Sequence, residues 1–155
     1  MLCIKHRSTD PYFNIATDEF IFKHLKKDCF MLWQNDNAII VGKHQNALAE
    51  INLDYVKEHD IKVVRRLSGG GAVYHDMGNL NFTFTRTSDQ DNDLVDFKRY
   101  TQPIIAVLQE MGVNAEFSGR NDIMIEGKKF SGNAEHVFKN KVMHHGTLLF
   151  SSNMP

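Results

Sequence analysis

The sequence has few cysteines and no long hydrophobic segment. Cys3 and Cys29 are its two cysteines and form no CxxC pair, which argues against a disulfide framework and favours a reduced, cytoplasmic protein. No apolar run approaches the ~20 residues that a membrane-spanning helix needs. The first seven residues also lack the apolar core of a signal peptide. We therefore expect no association with a membrane.

The chain also lacks an excess of positive charge. Its 155 residues include 18 Lys and Arg against 19 Asp and Glu, giving a net charge of −1. Proteins that bind nucleic acid over a broad surface usually carry a basic face, so nucleic acid is not an expected partner. Charged residues make up 24% and hydrophobic residues 42%, which is typical of one ordinary globular domain or of part of a larger one.

Hydrophobic spacing and turn residues predict more short strands than helices. One helix is expected from Asp10-Pro11 to Lys26-Lys27, a short one after Asn52, and another that is broken or begins near Pro103 and ends at Gly112. Strands are expected at 2–4, 30–33, 38–41, 61–64, 72–75, 81–85, 115–117, 123–125, 130–137 and 142–150. The polar segment 35–37 suggests a hairpin between the second and third strands, and 88–93 is expected to be an acidic loop. The predicted fold class is α+β (mixed α/β), with a largely antiparallel or mixed β-sheet and flanking helices.

A glycine-rich loop is the first candidate site. Ser68 is followed by Gly69, Gly70 and Gly71 between two predicted strands. Three glycines cost backbone entropy, so the fold must need backbone freedom or close approach there. Successive N–H groups in such a turn can bind phosphate or carboxylate oxygens, with Arg65-Arg66 supplying charge. A flexible hairpin loop beside a solvated basic pair explains the pattern equally well. The Walker A and GxGxxG phosphate motifs are both absent from the sequence.

Two polar segments in the last third form the second candidate site. The first, 118–122, ends in Asp122, which could hold Mg²⁺ together with substrate phosphates. The second, 128–133, contains Lys129, whose charge could be aimed at a phosphate or carboxylate. A polar turn and a lysine-tipped hairpin are the alternative for each segment. His144 and His145 are neighbours on a predicted strand and should face opposite ways, so they are not expected to share a metal.

Four sequence blocks together resemble the lipoate–protein ligase family. The first runs from Arg65 to Phe82 and contains the glycine loop; the others are 118–122, 129–134 and 145–149, and segments 11–14 and 42–46 also fit. Each block alone is weak, but together they are specific and extend over essentially the whole chain. The resemblance implies a biotin/lipoate protein ligase-like fold. Because family ligases continue beyond the fourth block, it also implies that residues 1–155 are a truncated catalytic domain, incomplete at the C-terminus and without an accessory domain.

The resemblance also implies a reaction and a set of site residues. Lipoate and ATP would give lipoyl-AMP, and the lipoyl group would then pass to a lysine of a lipoyl-acceptor domain, in the E2 subunits of 2-oxoacid dehydrogenases or in the glycine cleavage H protein. Lys129 would be catalytic, lying between the lipoate carboxylate and the α-phosphate, and Asp122 would hold Mg²⁺. The nucleotide-binding residues would be Arg66, Gly71, Ala72, Val73, Tyr74 and Lys129. The lipoate-binding residues would be Gly70, Gly71, His75 and Lys129.

Two other functions remain open at this stage. An octanoyl or lipoyl acyltransferase of the same fold would need a cysteine nucleophile within the blocks, and both cysteines lie far from them in sequence. A non-catalytic module that binds lipoate or a nucleotide is the alternative from a different class. Biotin ligase is disfavoured because the 66–76 segment fits the lipoate enzymes better.

Overall fold

A computed structural model describes residues 1–88 and 94–153. The helices are α1 (Pro11–His24), α2 (Ala47–Glu50), α3 (Leu53–Glu58) and α4 (Phe97–Glu110). The strands are β1 (Leu2–Lys5), β2 (Cys29–Trp33), β3 (Ala38–Val41), β4 (Lys62–Arg65), β5 (Val73–His75), β6 (Asn79–Thr87), β7 (Ala115–Ser118), β8 (Asp122–Ile125), β9 (Lys128–Phe138) and β10 (Lys141–Leu149). Most of the acidic loop expected at 88–93 lies outside the described residues.

The strands form two sheets. A seven-stranded sheet has the order β1-β2-β6-β10-β9-β8-β7, and a three-stranded sheet has the order β4-β3-β5. Pairing is antiparallel except between β1 and β2 and between β3 and β4. The α+β class with a mixed, largely antiparallel sheet and flanking helices is therefore confirmed.

The predicted hairpin between β2 and β3 is wrong. β2 pairs with β1 and β6 in the large sheet, whereas β3 pairs with β4 and β5 in the small one. The polar segment between them crosses from one sheet to the other, and Asn37 takes a positive φ of 46° there. Its side chain donates to the carbonyl of His59 at 2.9 Å, which fixes the crossing point to the end of α3. Apolar strands flanking a polar turn do not reveal which neighbour each strand will pair with.

Helix α1 begins as its sequence predicts. The Asp10 carboxylate accepts hydrogen bonds from the backbone N–H groups of Tyr12 and Phe13, and Pro11 occupies the first turn. The helix ends at His24, slightly earlier than predicted. Its terminal carbonyls are satisfied by the Lys141 ammonium, which donates to the oxygens of Ile21 and Leu25 at 3.1 and 2.6 Å. Because Lys141 begins β10, this contact ties α1 to the large sheet.

Helix α4 contains Pro103 instead of beginning there. Asp96 caps it seven residues before the proline by accepting from the Arg99 N–H at 3.0 Å, and Gly112 follows its end with φ +83°. Ile105 and Leu108 pack on the β7–β8 region. The apolar side chains of Val107 and Met111, by contrast, are exposed at 52% and 72%. Only one face of an α-helix packs on the sheet, so apolar residues outside that face stay in contact with solvent.

Candidate functional site

A cavity of about 440 Å³ lies between residues of the two sheets. Residues from both sheets line it, together with the loop between β4 and β5 and one residue of α1. Eight of the nine predicted site residues line this cavity: Arg66, Gly70, Gly71, Ala72, Val73, Tyr74, His75 and Lys129. The ninth, Asp122, contacts Lys129. The fold thus brings two candidate sites separated by more than 45 residues of sequence to one place.

The glycine loop presents backbone groups that nothing else uses. Within the described ranges, the N–H groups of Gly69, Gly70 and Gly71 donate to no carbonyl and to no side chain. Gly70 has φ +97°, a conformation that other residues rarely adopt. A Cβ at Gly69 or Gly71 would meet no atom within 4 Å, so open space lies against the loop. Free amide groups beside open space form a suitable site for an anion.

The buried side chain of Arg66 holds the glycine loop in its conformation. Its guanidinium donates from Nε to the Ser68 hydroxyl at 3.1 Å and from Nη1 to the Ile40 carbonyl at 3.0 Å. Nη2 donates to the carbonyls of Gly69 and Gly71, both at 2.8 Å. Four of its five N–H groups are therefore engaged by the protein. Burial lowers the pKa of Arg66 without threatening its charge. Its assignment to nucleotide binding stays a prediction, because its observed contacts shape the loop.

The neighbouring arginine has a separate partner. Arg65 Nη1 donates to the carbonyls of Gly42, Lys43 and Gln45 at 2.8, 3.3 and 2.9 Å, which holds segment 42–45 beside the glycine loop. A Cβ at Gly42 would lie 2.0 Å from the Gly70 carbonyl oxygen. Glycine at 42 is therefore needed for close packing of the two loops, and the Arg65 side chain is committed to the protein backbone.

Lys129 lines the same cavity as the glycine loop. Its ammonium forms an ion pair with Asp122 Oδ1 at 2.8 Å, and both side chains keep solvent contact, 54% and 30% exposed. The pairing of β8 with β9 is irregular next to Lys129, and such bulges commonly re-aim a side chain near a site. Lys129 Cε would lie 3.2 Å from a Cβ at Gly132, so a glycine at 132 leaves room for the lysine.

Two asparagines hold the Asp122 turn against β9. Asn121 Nδ2 donates to the Asn133 carbonyl at 2.7 Å, and Asn133 Nδ2 donates to the Asn121 carbonyl at 2.9 Å. Both residues line the cavity. This reciprocal pair sets the position of Asp122, and through it that of Lys129. Neither role could be assigned from the sequence, which shows only two amides twelve residues apart.

His75 is buried in the cavity wall, where two hydrogen-bonded asparagines hold its ring in place. Asn14 Nδ2 donates to Asn35 Oδ1 at 2.9 Å, and Asn35 Nδ2 donates to His75 Nδ1 at 3.1 Å. The proton of the neutral ring therefore lies on Nε2, which has no partner among the described residues. Burial, reinforced by the positive charge of Arg66, lowers the pKa of His75 to about 3. His75 thus offers one unpaired donor to a ligand.

We predict that His75 makes the folded protein less stable in mild acid. The unfolded chain takes up a proton near pH 6.5, whereas the folded chain does so only near pH 3, so the stabilisation is present above pH 6.5 and is lost as the pH falls toward 3. The slope is at most about 1.4 kcal/mol per pH unit. Urea unfolding between pH 7 and pH 5 should show a slope smaller by up to one proton in His75→Gln. An identical slope in both proteins would contradict the assignment.

The sequence did not single out the individual residues of the apolar wall or the buried asparagines of β6. Ile15, Trp33 and Ile40 line the cavity and are themselves buried. Asn79 and Asn81 also line it and are 0% and 1% exposed. Two amides at alternate positions of one strand share a face, so this spacing could have marked them as part of a site.

The adjacent histidines face opposite sides of β10, as predicted. His144 is fully buried, lies 2.9 Å from Glu135 and stacks on Tyr100. His145 lies on the cavity face, where its Nδ1 is 2.9 Å from Asp18. In the described part of the chain, no three His, Cys, Asp or Glu side chains come together as metal ligands.

Comparison with known proteins identifies the family. The model of the lipoyl protein ligase A/B catalytic domain matches residues 10–155. This chain belongs to that family. The lipoyl protein ligase resemblance of the sequence blocks is thereby confirmed, and the glycine loop and Lys129 both fall inside the matched domain.

Curated relatives in this ligase family are close in sequence. The chain is 49% identical over 155 residues to the lipoate-protein ligase LplJ of Bacillus subtilis, covering 98% of this chain and 46% of the relative. It is 49% identical over 148 residues to lipoate–protein ligase 1 of Staphylococcus aureus, covering 94% and 45%. The chain therefore spans about half the length of the curated relatives it matches.

Solved structures of ligases share the fold. The Plasmodium falciparum LipL1 structure in complex with lipoate superposes with a TM-score of 0.85 at 33% identity, covering 96% of this chain and 47% of that one. Lipoate-protein ligase A bound with ATP gives 0.86 at 30%, covering 98% and 66%. The bipartite ligase of Thermoplasma acidophilum, studied with its E2 lipoyl domain, gives 0.88 at 30%, covering 98% and 61%. These similarities confirm the lipoate ligase-like fold.

Proposed function

We propose that this chain carries the active site of a lipoate–protein ligase, which converts lipoate and ATP to lipoyl-AMP and transfers the lipoyl group to a protein lysine. The observation that carries the proposal is the placement of three free loop amides, the Lys129 ammonium and an apolar wall around one cavity. Lipoate combines a carboxylate with an apolar tail, and ATP adds a polyanion. The relatives named as lipoate ligases and the lipoate- and ATP-bound neighbours support this assignment.

In the first step, a lipoate carboxylate oxygen forms a bond to the α-phosphorus while the bond to pyrophosphate breaks. Two anions must approach each other, so cations and N–H donors at the reacting centre lower the barrier. We assign the Lys129 ammonium to the carboxylate and α-phosphate. The backbone of Gly71, Ala72, Val73 and Tyr74 takes the nucleotide. The unpaired His75 Nε2–H, Gly70 and Gly71 are assigned to lipoate.

Asp122 suits a Mg²⁺ ion that is shared with the substrate. Mg²⁺ is usually bound through one or two carboxylates plus substrate phosphates, and Asp122 is a part-exposed carboxylate directly beside Lys129. Among the described residues, no three His, Cys, Asp or Glu side chains come together around it. We propose that Asp122 contributes one ligand and that ATP phosphates and water contribute the others. When bound, the ion would neutralise phosphate charge.

In the second step, the amine of an acceptor lysine forms an amide bond with the acyl carbon of lipoyl-AMP, AMP leaves with the electron pair of the broken bond, and the proton of the amine passes to water. We propose that the acceptors are lipoyl domains of E2 subunits of 2-oxoacid dehydrogenases and of the glycine cleavage H protein. The Thermoplasma structure, which is described together with its E2 lipoyl domain, supports an acceptor of this class. No helix in residues 1–88 or 94–153 is long and apolar enough to cross a membrane. Because the two cysteines are both free, as is typical of a reducing compartment, we propose that the reaction takes place in the cytoplasm.

The cysteines disfavour the acyltransferase alternative. Cys29 is buried in β2, and burial raises the pKa of its thiol, which opposes formation of the reactive thiolate. Cys3 is exposed on β1, an edge strand of the large sheet. Neither cysteine lines the cavity. A cysteine thioester would therefore form away from the proposed site.

The proposal is tested by lipoate-dependent exchange of labelled pyrophosphate into ATP. Two proteins are compared: this chain, and a chimera in which it replaces the matched part of the Bacillus subtilis relative. We expect this chain to bind ATP and lipoate in calorimetry, and the chimera to catalyse exchange. If both proteins bind ATP and lipoate but neither catalyses exchange, the non-catalytic binding module is supported instead. Neither binding nor exchange would overturn both assignments.

A further inference from the structure

A second chain of hydrogen bonds leads from the glycine loop into the core. The Ser68 hydroxyl accepts from Arg66 Nε at 3.1 Å and lies 2.5 Å from His145 Nε2. On the other side of the ring, His145 Nδ1 lies 2.9 Å from Asp18 Oδ2. Arg66, Ser68, His145 and Asp18 are thus connected in series, and the first three belong to motif blocks while Asp18 does not.

The partners determine the direction of each bond. Asp18 Oδ2 is a carboxylate acceptor, so Nδ1 of His145 must carry a proton. The guanidinium of Arg66 can only donate, so it occupies one lone pair of the Ser68 oxygen. The Ser68 hydrogen is then free to be donated to His145 Nε2. With a single proton on the imidazole, the bonds all run from the Arg66 cation toward the Asp18 anion.

Burial makes this series necessary. Ser68 is 0% exposed, and Asp18 and Arg66 are 2% and 8% exposed. A buried charge without a partner is strongly unfavourable, and these two opposite charges are connected by hydrogen bonds instead of by direct contact. Removing any member leaves the others with unsatisfied groups.

The four hydrogen-bonded residues connect the small sheet, the large sheet and α1 beside the cavity. Arg66 and Ser68 follow β4 of the small sheet, His145 belongs to β10 of the large sheet, and Asp18 lies on α1. At its upper end, Arg66 Nη2 holds the carbonyls of Gly69 and Gly71. Bonding those carbonyls to Arg66 directs them away from any bound anion, so that the loop can offer its N–H groups.

The order of groups is that of a serine hydrolase triad, with a hydroxyl, an imidazole and a carboxylate. Ser68 does not lie at the cavity surface, and its oxygen is covered by Arg66 and His145. A substrate carbonyl could not reach it. The arrangement therefore supports positioning and not nucleophilic attack.

We propose that Asp18 and His145 are positioning residues that act through Ser68 and Arg66 to hold the glycine loop ready for nucleotide phosphates. The carboxylate orients the imidazole, the imidazole orients the hydroxyl, and the hydroxyl and carbonyls together fix the guanidinium. The link to nucleotide rests on the proposed function, whereas the link to loop geometry does not.

The first test reads the imidazole directly. Nitrogen-15 NMR of the protein near pH 7 should show His145 protonated on Nδ1, and His75 protonated on Nε2, because their partners are arranged in opposite ways. In Asp18→Asn the amide loses the charge that selects the Nδ1–H form, so His145 should populate both tautomers. His145 protonated only on Nε2 in the unmodified protein would overturn the series.

The second test reads the loop. The Lys43 amide donates to the Ser68 carbonyl at 2.8 Å, so its hydrogen exchange reports whether Ser68 stays in place. Asp18→Asn and Ser68→Ala should speed exchange at Lys43 while amides at the centre of β6 stay protected. Glu19→Gln, an exposed neighbour on α1, is the matched control and should leave Lys43 unchanged. Unchanged Lys43 exchange in both variants, or labelling of Ser68 by a fluorophosphonate, would overturn the proposal.

Binding then separates this proposal from the assignment of function. In calorimetry, Asp18→Asn should weaken ATP binding about tenfold or more through misplacement of the loop. ATP affinity equal to that of the unmodified protein would overturn the positioning role. If the unmodified protein binds no ATP, the proposed function fails, and the tautomer and Lys43 measurements still decide whether the series holds the loop.

Discussion

Lys129→Ala is expected to reduce lipoate-dependent pyrophosphate exchange by about a hundredfold or more, because one charged donor at a developing charge is commonly worth that much. The ammonium is already held at the cavity by Asp122 at 2.8 Å, so little reorganisation is needed when substrates enter. The measurement is exchange in the chimera with the Bacillus subtilis relative, with and without lipoate. Thermal unfolding should barely change, since both partners of the ion pair are part-exposed.

Lys128→Ala supplies the matched control for this experiment. Lys128 precedes Lys129 on β9, is exposed and does not line the cavity, because successive strand residues face opposite sides. Replacing Lys128 by alanine changes the net charge of the protein by the same amount as replacing Lys129. An equal loss of exchange in both variants would attribute the effect to general charge, and normal exchange in Lys129→Ala would remove Lys129 from the reaction.

Gly146→Ala is expected to destabilise the folded protein strongly. A Cβ at Gly146 would lie 2.1 Å from Asn133 Oδ1 and 2.6 Å from Phe82 Cζ, both inside the large sheet. Neither neighbour has room to retreat, since Phe82 is fully buried and Asn133 Oδ1 also contacts His144 Nε2 at 3.2 Å. Overpacking of this kind costs about 3 kcal/mol. Urea unfolding would measure the loss.

Gly71→Ala is the corresponding control in the glycine loop. Nothing lies within 4 Å of a Cβ at that position, so the free energy of unfolding should change by less than about 1 kcal/mol. The comparison thus distinguishes a glycine that close packing requires from a glycine that leaves room for a ligand. Similar unfolding free energies for Gly146→Ala and Gly71→Ala would show that the predicted clash is relieved.

Local elements of the fold could largely be predicted from the sequence. The Asp10 and Asn52 caps, the glycine stop after α4 and the strands of the last third depend on side chains within a few residues of one another. Pro103 shows the limit of this reasoning, because a favourable cap seven residues earlier and packing of Ile105 outweigh one lost backbone hydrogen bond.

Site residues were predictable where a motif concentrated them. Arg66, the residues from Gly69 to His75, and Lys129 all line one cavity. The structural role of each residue could not be predicted equally well. Gly42 and Gly146 exclude side chains that would clash with neighbouring segments, whereas Gly69 and Gly71 leave space for a ligand. In the sequence all of them are simply glycines.

The sequence by itself determined the family, the α+β class and most members of the candidate site, because these depend on residue identity and short-range spacing. Only the tertiary structure decided which strands pair, that Arg66 supports the loop from within, and that Asp18 joins a series ending more than 45 residues away. The physical reason is that hydrogen-bond partners and close contacts are set by distances between segments remote in sequence. Those distances exist only once the two sheets and α1 have packed together.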